Sequence, residues 1–225
     1  MKNIIIEFLK HIKHFFYVVW NRLFKIHIMF ILNDRERLDP SLVDKNHPYL
    51  RSHLNRYLLA KKMLSKNDRV LDLACGTGYG TAMLSSRAKH VFGVDLSKRA
   101  IWFAKRRYQK SNVEFQTGDF FDSFGKYDVV VSFETLEHIM AESFDQILVN
   151  SESKAKKLII GSVPYLEKAE INPHHFWFDL NIKSFDLLTK RGKLVFYYQN
   201  CEGKIYKKLN PGYCQNLIFV VYRNG

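Results

Sequence analysis

Cysteine is scarce in this chain of 225 residues, and the three that occur, Cys75, Cys201 and Cys214, are widely spaced. An odd number with no C-x-x-C pair argues against a zinc site and against the disulfide framework of a small secreted protein. We therefore expect three reduced thiols and a cytoplasmic location. Hydrophobic residues make up 47% of the chain, so it can bury a sizeable core. Its length suits one α/β domain with an appendage.

Long uncharged apolar runs are also missing, although a transmembrane helix needs about 20 such residues. The segment 1–32 is rich in large apolar side chains, but Lys10, Lys13 and His14 interrupt it. No small-residue cleavage site of a signal peptide follows. Polar residues recur there at helical spacing and mark one stripe. The segment predicts a basic amphipathic helix in a membrane interface, or alternatively a helix that packs on the domain or on a partner subunit.

Acidic residues are few compared with basic ones, 22 against 35, which gives a formal net charge of +13. Such a surplus favours an anionic partner, and nucleic acid, acidic lipid headgroups and a phosphorylated substrate all fit that description. The alternative is that the charge only keeps the surface soluble. Residues 33–48 are polar and contain Pro40 and Pro48, so they predict a linker. Residues 49–225 then form the main domain.

Short apolar segments alternate with helical patterns in 49–225. Strands are predicted at 69–74, 90–94, 113–116, 127–132, 157–163, 193–199 and 216–223, and helices at 49–64, 79–88, 97–108, 137–150 and 182–190. This alternation predicts an α/β fold with a seven-stranded, mostly parallel sheet covered by helices on both faces. No helix separates the last two strands, so they predict an antiparallel hairpin at the C-terminal edge. Ligands of such sheets bind at the carboxyl ends of the strands.

A glycine-rich turn follows the first strand, from Asp72 to Gly80 in the sequence D-L-A-C-G-T-G-Y-G. Glycine lets a ligand approach the backbone closely, but G-x-G-x-G alone occurs in many nucleotide-binding folds. Three carboxylates sharpen the prediction. Asp72 is placed to meet a cationic amino-acid group, Asp95 to accept both ribose hydroxyls, and Asp119 to receive an adenine amino group.

These motifs resemble, in order and spacing, those of class I S-adenosylmethionine-dependent methyltransferases over residues 49–163. The resemblance implies a Rossmann-like sheet and S-adenosyl-L-methionine as the cofactor. By motif position, the implied cofactor-binding residues are Asp72, Ala74, Gly76, Gly78, Asp95, Leu96, Asp119, Phe120 and Glu134. His53, Arg56 and Tyr57 resemble an H-x-x-R-Y element that precedes the motif in some members. A dinucleotide-dependent dehydrogenase is the alternative, but that class has G-x-G-x-x-G spacing.

The segment after the fourth strand, Phe133 to Ile139, faces the reactive methyl group in this family. It lacks the N/D-P-P-Y/F motif of enzymes that methylate base amino groups, which disfavours that acceptor. A hydroxyl acceptor needs a base, and histidine, with a pKa of about 6.5, suits that task. We predict that His138, His174 or His175 acts in catalysis. The alternative is that His138 only orients a helix and that one of the tandem histidines faces solvent.

Three family resemblances give different acceptors. E-x-L-E-H from Glu134 with a later N-P-x-H resembles methyltransferases of bacterial surface-polysaccharide pathways, which implies a sugar or lipid-linked glycan and a peripheral position on the inner membrane face. Ubiquinone-pathway O-methyltransferases share the E-x-x-E-H element. Small-RNA 3′-end 2′-O-methyltransferases combine it with a later histidine to hold a divalent metal. The matching set here is Glu134, Glu137, His138 and His174.

We expect the first of these, an O-methyltransferase for a glycan or small molecule with no metal site. The second hypothesis, an RNA 2′-O-methyltransferase, suits the positive charge, but no RNA-binding module is recognisable. A third is a non-enzymatic cofactor-binding subunit that anchors or activates a partner protein.

Overall fold

The computed structural model describes residues 39–44, 47–172, 174–209 and 214–223. The helix predicted for 1–32 lies outside the described residues. Within the predicted linker, Asp39 is buried and accepts a hydrogen bond from the Tyr108 hydroxyl at 2.9 Å. In the described ranges, none of the helices has the length and apolarity that are needed to cross a membrane.

Helices and strands alternate as predicted. The strands are β1 Arg69–Leu73, β2 His90–Asp95, β3 Val113–Thr117, β4 Tyr127–Phe133, β5 Ala155–Pro164, β6 Gly192–Gln199, β7 Ile205–Tyr206 and β8 Asn216–Arg223. The α-helices are α1 Pro48–Met63, α2 Tyr79–Leu84, α3 Lys98–Tyr108, α4 Phe144–Ser153 and α5 Asp186–Thr189, with 3-10 turns at Leu136–His138 and Ile182–Phe185.

The sheet has the order β3-β2-β1-β4-β5-β8-β6-β7, and β1 to β5 are parallel. The chain runs outward from β1 to β3 and then crosses back to place β4 on the other side of β1. The carboxyl ends of β1 and β4 therefore form the switch point, where a crevice opens in such sheets. This topology fixes where a ligand site lies.

The predicted antiparallel pairing of the last two long strands, β6 and β8, is confirmed, but their position at the edge needs correction. Strand β8 pairs antiparallel with both β5 and β6, so it lies inside the sheet and not at its edge. The strand at this edge is β7, which has two residues and pairs with β6. It brings the number of strands in the sheet to eight, where seven were predicted. Asn200 and Lys204 bond across the tight turn between them, and Gly203 there has φ +82°. Its positive φ suits glycine, which has no Cβ to clash.

Alternate residues of each strand point to opposite faces, as the period of two requires. In β8, Leu217, Phe219 and Val221 pack in one core cluster, with Phe185. Ile218 and Val220 pack in a second cluster on the other face, with Tyr57 and Ala60 of α1. The sheet thus buries both faces under helices, which is why its strands read as continuous apolar runs.

The helix predicted at 137–150 is wrong at its start. Residues Leu136–His138 form a 3-10 turn, and α4 begins only at Phe144 because the Ser143 side chain caps it by accepting a hydrogen bond from the Gln146 amide at 3.2 Å. A serine at this position is a strong N-cap signal. The short turn leaves Glu137 and His138 at the carboxyl end of β4, beside the switch point.

Candidate cofactor and acceptor site

The glycine-rich turn is built from left-handed backbone. Ala74, Gly76 and Gly78 have φ of 59°, 55° and 85°. A Cβ at Gly76 would meet nothing within 4 Å, whereas one at Gly78 would lie 2.7 Å from Ala104 and from Phe115. Gly78 is therefore required for packing as well as for its φ, while Gly76 leaves the backbone open to a ligand.

Asp95 ends β2 and is held by backbone amides. Its Oδ2 accepts a hydrogen bond from the Gly76 N–H at 2.8 Å, and its Oδ1 accepts one from Ser97 at 2.9 Å. The side chain is mostly buried, with the residue 5% exposed. Two amide donors fix the carboxylate and stabilise its charge, so it can accept further hydrogen bonds in a defined direction.

A cleft of about 280 Å³ opens at the switch point. Its walls are formed by Leu73, Ala74, Val94, Asp95, Leu96, Gly118, Asp119, Phe120, Phe121, His138, Ile139 and Met140. Five of the nine predicted cofactor residues are among them, together with one predicted catalytic histidine. The other six wall residues were not predicted, namely Leu73, Val94, Gly118, Phe121, Ile139 and Met140. The only signal for them was their position next to predicted residues in the sequence.

The cleft residues fit S-adenosyl-L-methionine. Asp95 and Asp119 place two carboxylates at the ends of neighbouring strands, where ribose hydroxyls and an adenine amino group can donate to them. The Asp119 Oδ1 is oriented by the Phe121 N–H at 2.9 Å. Apolar side chains between them, such as Leu96 and Phe120, suit the faces of a flat base.

Asp72 lies elsewhere. It is fully buried, and its carboxylate accepts hydrogen bonds from the hydroxyls of Thr81 at 2.6 Å and Tyr57 at 3.2 Å. Burial raises the pKa of Asp72 to about 7, and the Asp95 charge adds to this, while the two hydroxyl donors lower it. Its carboxylate is thus satisfied inside the protein behind the turn, and its contact with the cofactor stays a prediction.

Glu134 also lies outside the cleft walls. It follows β4 with φ +50°, and its carboxylate accepts hydrogen bonds from Ser162 and Asn216, both at 2.6 Å. Arg56 lies 3.8 Å from it and donates to Gln199 at 2.7 Å. The R-Y pair of the H-x-x-R-Y element therefore holds two carboxylates, Glu134 through Arg56 and Asp72 through Tyr57.

The structure brings two of the three predicted histidines together. His138 lines the cleft, and its ring contacts His175 edge-on with 4.4 Å between centroids. His175 is buried, whereas His174 is exposed and faces this group only with its carbonyl oxygen, 3.3 Å from the His138 Nδ1. Buried Glu137 joins the two histidines to form a cluster, which we call the Glu-His-His cluster.

Comparisons with known proteins agree with this geometry. Residues 70–155 match the family described as a methyltransferase domain. A magnesium-protoporphyrin O-methyltransferase of Rhodobacter capsulatus is 32% identical over 99 residues, 42% of this chain and 44% of that protein. The chain spans about half the length of the curated relatives it matches.

Solved structures of similar fold include the N-methyltransferase NodS from Bradyrhizobium japonicum WM9 with S-adenosyl-L-homocysteine, at TM-score 0.61 and 16% identity, covering 89% of this chain and 98% of that one. Magnesium protoporphyrin IX methyltransferase from Synechocystis PCC 6803 with bound SAH gives TM-score 0.58 at 16% identity, with 92% and 100% coverage. At these identities the likeness establishes the fold.

Proposed function

We propose that the protein methylates a hydroxyl group of a sugar or lipid-linked glycan near the membrane. The premise is that the chain carries a class I S-adenosylmethionine-dependent methyltransferase domain whose cofactor is S-adenosyl-L-methionine. The observation that carries the proposal is that His138 shares the walls of one cleft with Asp95 and Asp119. An imidazole that can accept the proton of the acceptor hydroxyl thus lies beside the proposed cofactor site.

Transfer to oxygen requires two bond changes and one proton. The cofactor supplies an electrophilic methyl group on a sulfonium, so the oxygen–methyl bond forms as the sulfur–methyl bond breaks. The hydroxyl proton must leave at the same time, since a neutral hydroxyl is a poor nucleophile. His138 is the member of the Glu-His-His cluster that reaches the cleft, so the cluster acts on the acceptor through this side chain.

The choice of oxygen as the acceptor atom draws on two observations. The segment from Phe133 to His138 lacks the N/D-P-P-Y/F motif of base N-methylation. Relatives named as O-methyltransferases for magnesium-protoporphyrin and for protein L-isoaspartate match the chain, which supports a similar reaction on oxygen.

An amphiphilic acceptor is supported by the surface near the cleft. Met140 in the cleft wall is 73% exposed, and Ile171 and Phe176 in the segment after β5 are also exposed. These exposed apolar side chains, together with the polar Asp95, Asp119 and His138 in a mostly apolar cleft wall, suit a molecule with both kinds of surface. The basic, apolar segment 1–32 fits a membrane-bound acceptor.

The test measures methyl transfer from radiolabelled S-adenosylmethionine to lipid-linked glycans and sugar phosphates. We expect His138→Ala to lower turnover at least ~100-fold, as loss of acid–base assistance does, while binding of S-adenosylhomocysteine is retained. His174→Ala is the matched control and should keep activity. Equal turnover of His138→Ala and the wild type would contradict the role of the cleft histidine. Transfer to none of these acceptors would refute the substrate class.

RNA is the second candidate acceptor, because the Glu-His-His cluster and the net charge of +13 both suit a ribose hydroxyl in a polyanion. It predicts RNA binding that weakens steeply with salt and methylation of an RNA 3′ end in the same assay. Labelling of RNA but not of glycan would make RNA the supported acceptor and would refute the glycan.

A further inference from the structure

The Glu-His-His cluster joins two segments that are distant in sequence. Glu137 and His138 belong to the 3-10 turn after β4, and His175 belongs to the loop after β5. One backbone and one side-chain hydrogen bond hold the segments together, because the Phe176 N–H donates to the Glu137 carbonyl at 2.8 Å and the Trp177 indole Nε1 donates to the Ile139 carbonyl at 2.8 Å. The three side chains are thus held together by groups other than themselves.

Glu137 is the unusual member. The residue is 1% exposed, and neither carboxylate oxygen has a hydrogen-bond partner on another residue in the described part of the chain. Burial and the nearby Glu134 charge raise the pKa of the Glu137 carboxyl well above its usual range. A buried carboxylate without partners is strongly disfavoured unless a cation or a proton joins it.

Glu167 orients the His175 ring, and a metal ion at Nε2 would replace the contact that Asn172 makes there. The His175 Nδ1 lies against the Glu167 carboxylate, and its Nε2 lies 2.9 Å from Asn172 Nδ2. Metal-binding histidines commonly have one ring nitrogen fixed by a carboxylate in this way. Glu134 and Glu167 act on Glu137 as negative charges and Arg56 acts as a positive one, so carboxylates outnumber cations around the cluster.

We propose that Glu137, His138 and His175 bind a divalent transition-metal ion. One ligand atom from each lies within 4.8 Å of the others, close enough to share one ion. Two imidazoles with one carboxylate suit Mn²⁺, Co²⁺ or Zn²⁺ better than Mg²⁺ or Ca²⁺, which prefer oxygen ligands. Glu134 and His174, in the set that sequence resemblance implied, are not ligands, because Glu134 is bound by Ser162 and Asn216 and His174 is exposed.

The ion has a use that rests on the proposed function. Because His138 lines the cleft, an ion on this side chain lies where an acceptor hydroxyl can reach it. Coordination lowers the pKa of a hydroxyl and aligns its oxygen. His138 would then act as a ligand and not as the base, and the acidified hydroxyl would release its proton to water in the cleft.

Calorimetry of the full chain tests binding without any acceptor. After dialysis against EDTA, the protein is titrated with MnCl₂, CoCl₂ and MgCl₂. We expect the wild type to bind one Mn²⁺ or Co²⁺ per chain and to bind Mg²⁺ with lower affinity. In Glu137→Gln and His175→Ala the affinity for Mn²⁺ should fall at least ~10-fold. Glu170→Gln and His174→Ala, exposed residues of the same segment, are the matched controls and should bind as the wild type does.

Glu137→Gln keeps the shape of the side chain, so the variant is expected to fold. Circular dichroism shows whether each variant keeps its secondary structure. Should His175→Ala not fold, Glu137→Gln and His138→Ala decide the outcome. No Mn²⁺ or Co²⁺ binding by the wild type, or equal affinity in Glu137→Gln, would overturn the proposal. Metal binding without methylation of any glycan would leave the metal site standing and refute only the proposed function.

Discussion

The two sides of the switch point differ in how their carboxylates are satisfied. On the side of β1 and β2, Asp72 accepts two hydroxyl hydrogen bonds and Asp95 two backbone amide hydrogen bonds. On the side of β4 and β5, Glu137 is equally buried and accepts none from another described residue. Glu134 on the second side is paired with Ser162 and Asn216, so Glu137 alone distinguishes the two sides. Because buried polar groups are almost always paired, we call the first side complete and the second side incomplete, since Glu137 needs a proton or a cation.

The largest effect is expected on the complete side. Asp95→Ala removes the carboxylate aimed at the ribose and the acceptor for the Gly76 and Ser97 amides. We expect S-adenosylhomocysteine to bind ~100-fold more weakly, roughly 2.7 kcal/mol, as for loss of hydrogen bonds to a charged group. Calorimetry measures this, and Glu114→Ala on the exposed face of β3 is the control. Unchanged affinity would show that the cofactor lies elsewhere.

The next effect concerns the incomplete side. In EDTA, Glu137→Gln should raise the free energy of unfolding by about 1–3 kcal/mol at pH 8, because it removes a buried carboxyl group without a partner. At pH 5 the gain should shrink, since a raised pKa in the fold lowers the stability of the wild type only as the pH rises above the ordinary value of 4.5. Urea denaturation at both pH values measures this. A loss of stability at pH 8 would mean that the carboxylate already has a partner.

Asp72 gives a pH-dependent comparison on the complete side. Its pKa of about 7 in the fold exceeds the ordinary value of 3.8, so between these values the folded state binds more protons than the unfolded state. Stability should therefore fall with rising pH in that window, by at most about 1.4 kcal/mol per pH unit, and level off above pH 7. Asp72→Asn should flatten the slope. If the free energy of unfolding depended on pH equally in Asp72→Asn and the wild type, a group other than Asp72 would take up the proton on folding.

The smallest effects are expected at two helix caps, one on each side. The side chains of Ser97 and Ser143 cap α3 and α4 at 3.2 Å, so alanine at either should cost about 1 kcal/mol in thermal unfolding. Ser97→Ala should still bind S-adenosylhomocysteine normally, because Asp95 is held by the Ser97 backbone amide and not by its hydroxyl. A large loss of affinity in this variant would show that the cap positions the site.

The sequence predicts the complete side better than the incomplete one. Strands β1 and β2, the Ser97 cap and the cleft positions of Asp95 and Asp119 follow from local patterns, since each parallel strand is an apolar run that ends in a turn. The position of β8 between β5 and β6 depends on long-range pairing, which no local pattern contains. The choice of His175 over His174 depends on the contact between Phe176 and Glu137, which is likewise a tertiary effect.

The most direct test of two separate sites is a crossed titration of Asp95→Ala and Glu137→Gln with S-adenosylhomocysteine and with Mn²⁺. We predict that Asp95→Ala loses affinity for S-adenosylhomocysteine but keeps Mn²⁺, and that Glu137→Gln loses Mn²⁺ but keeps S-adenosylhomocysteine. If either variant lost both ligands while remaining folded, or if Glu137→Gln lost only the nucleoside, the division of the switch point into a cofactor side and a metal side would be contradicted.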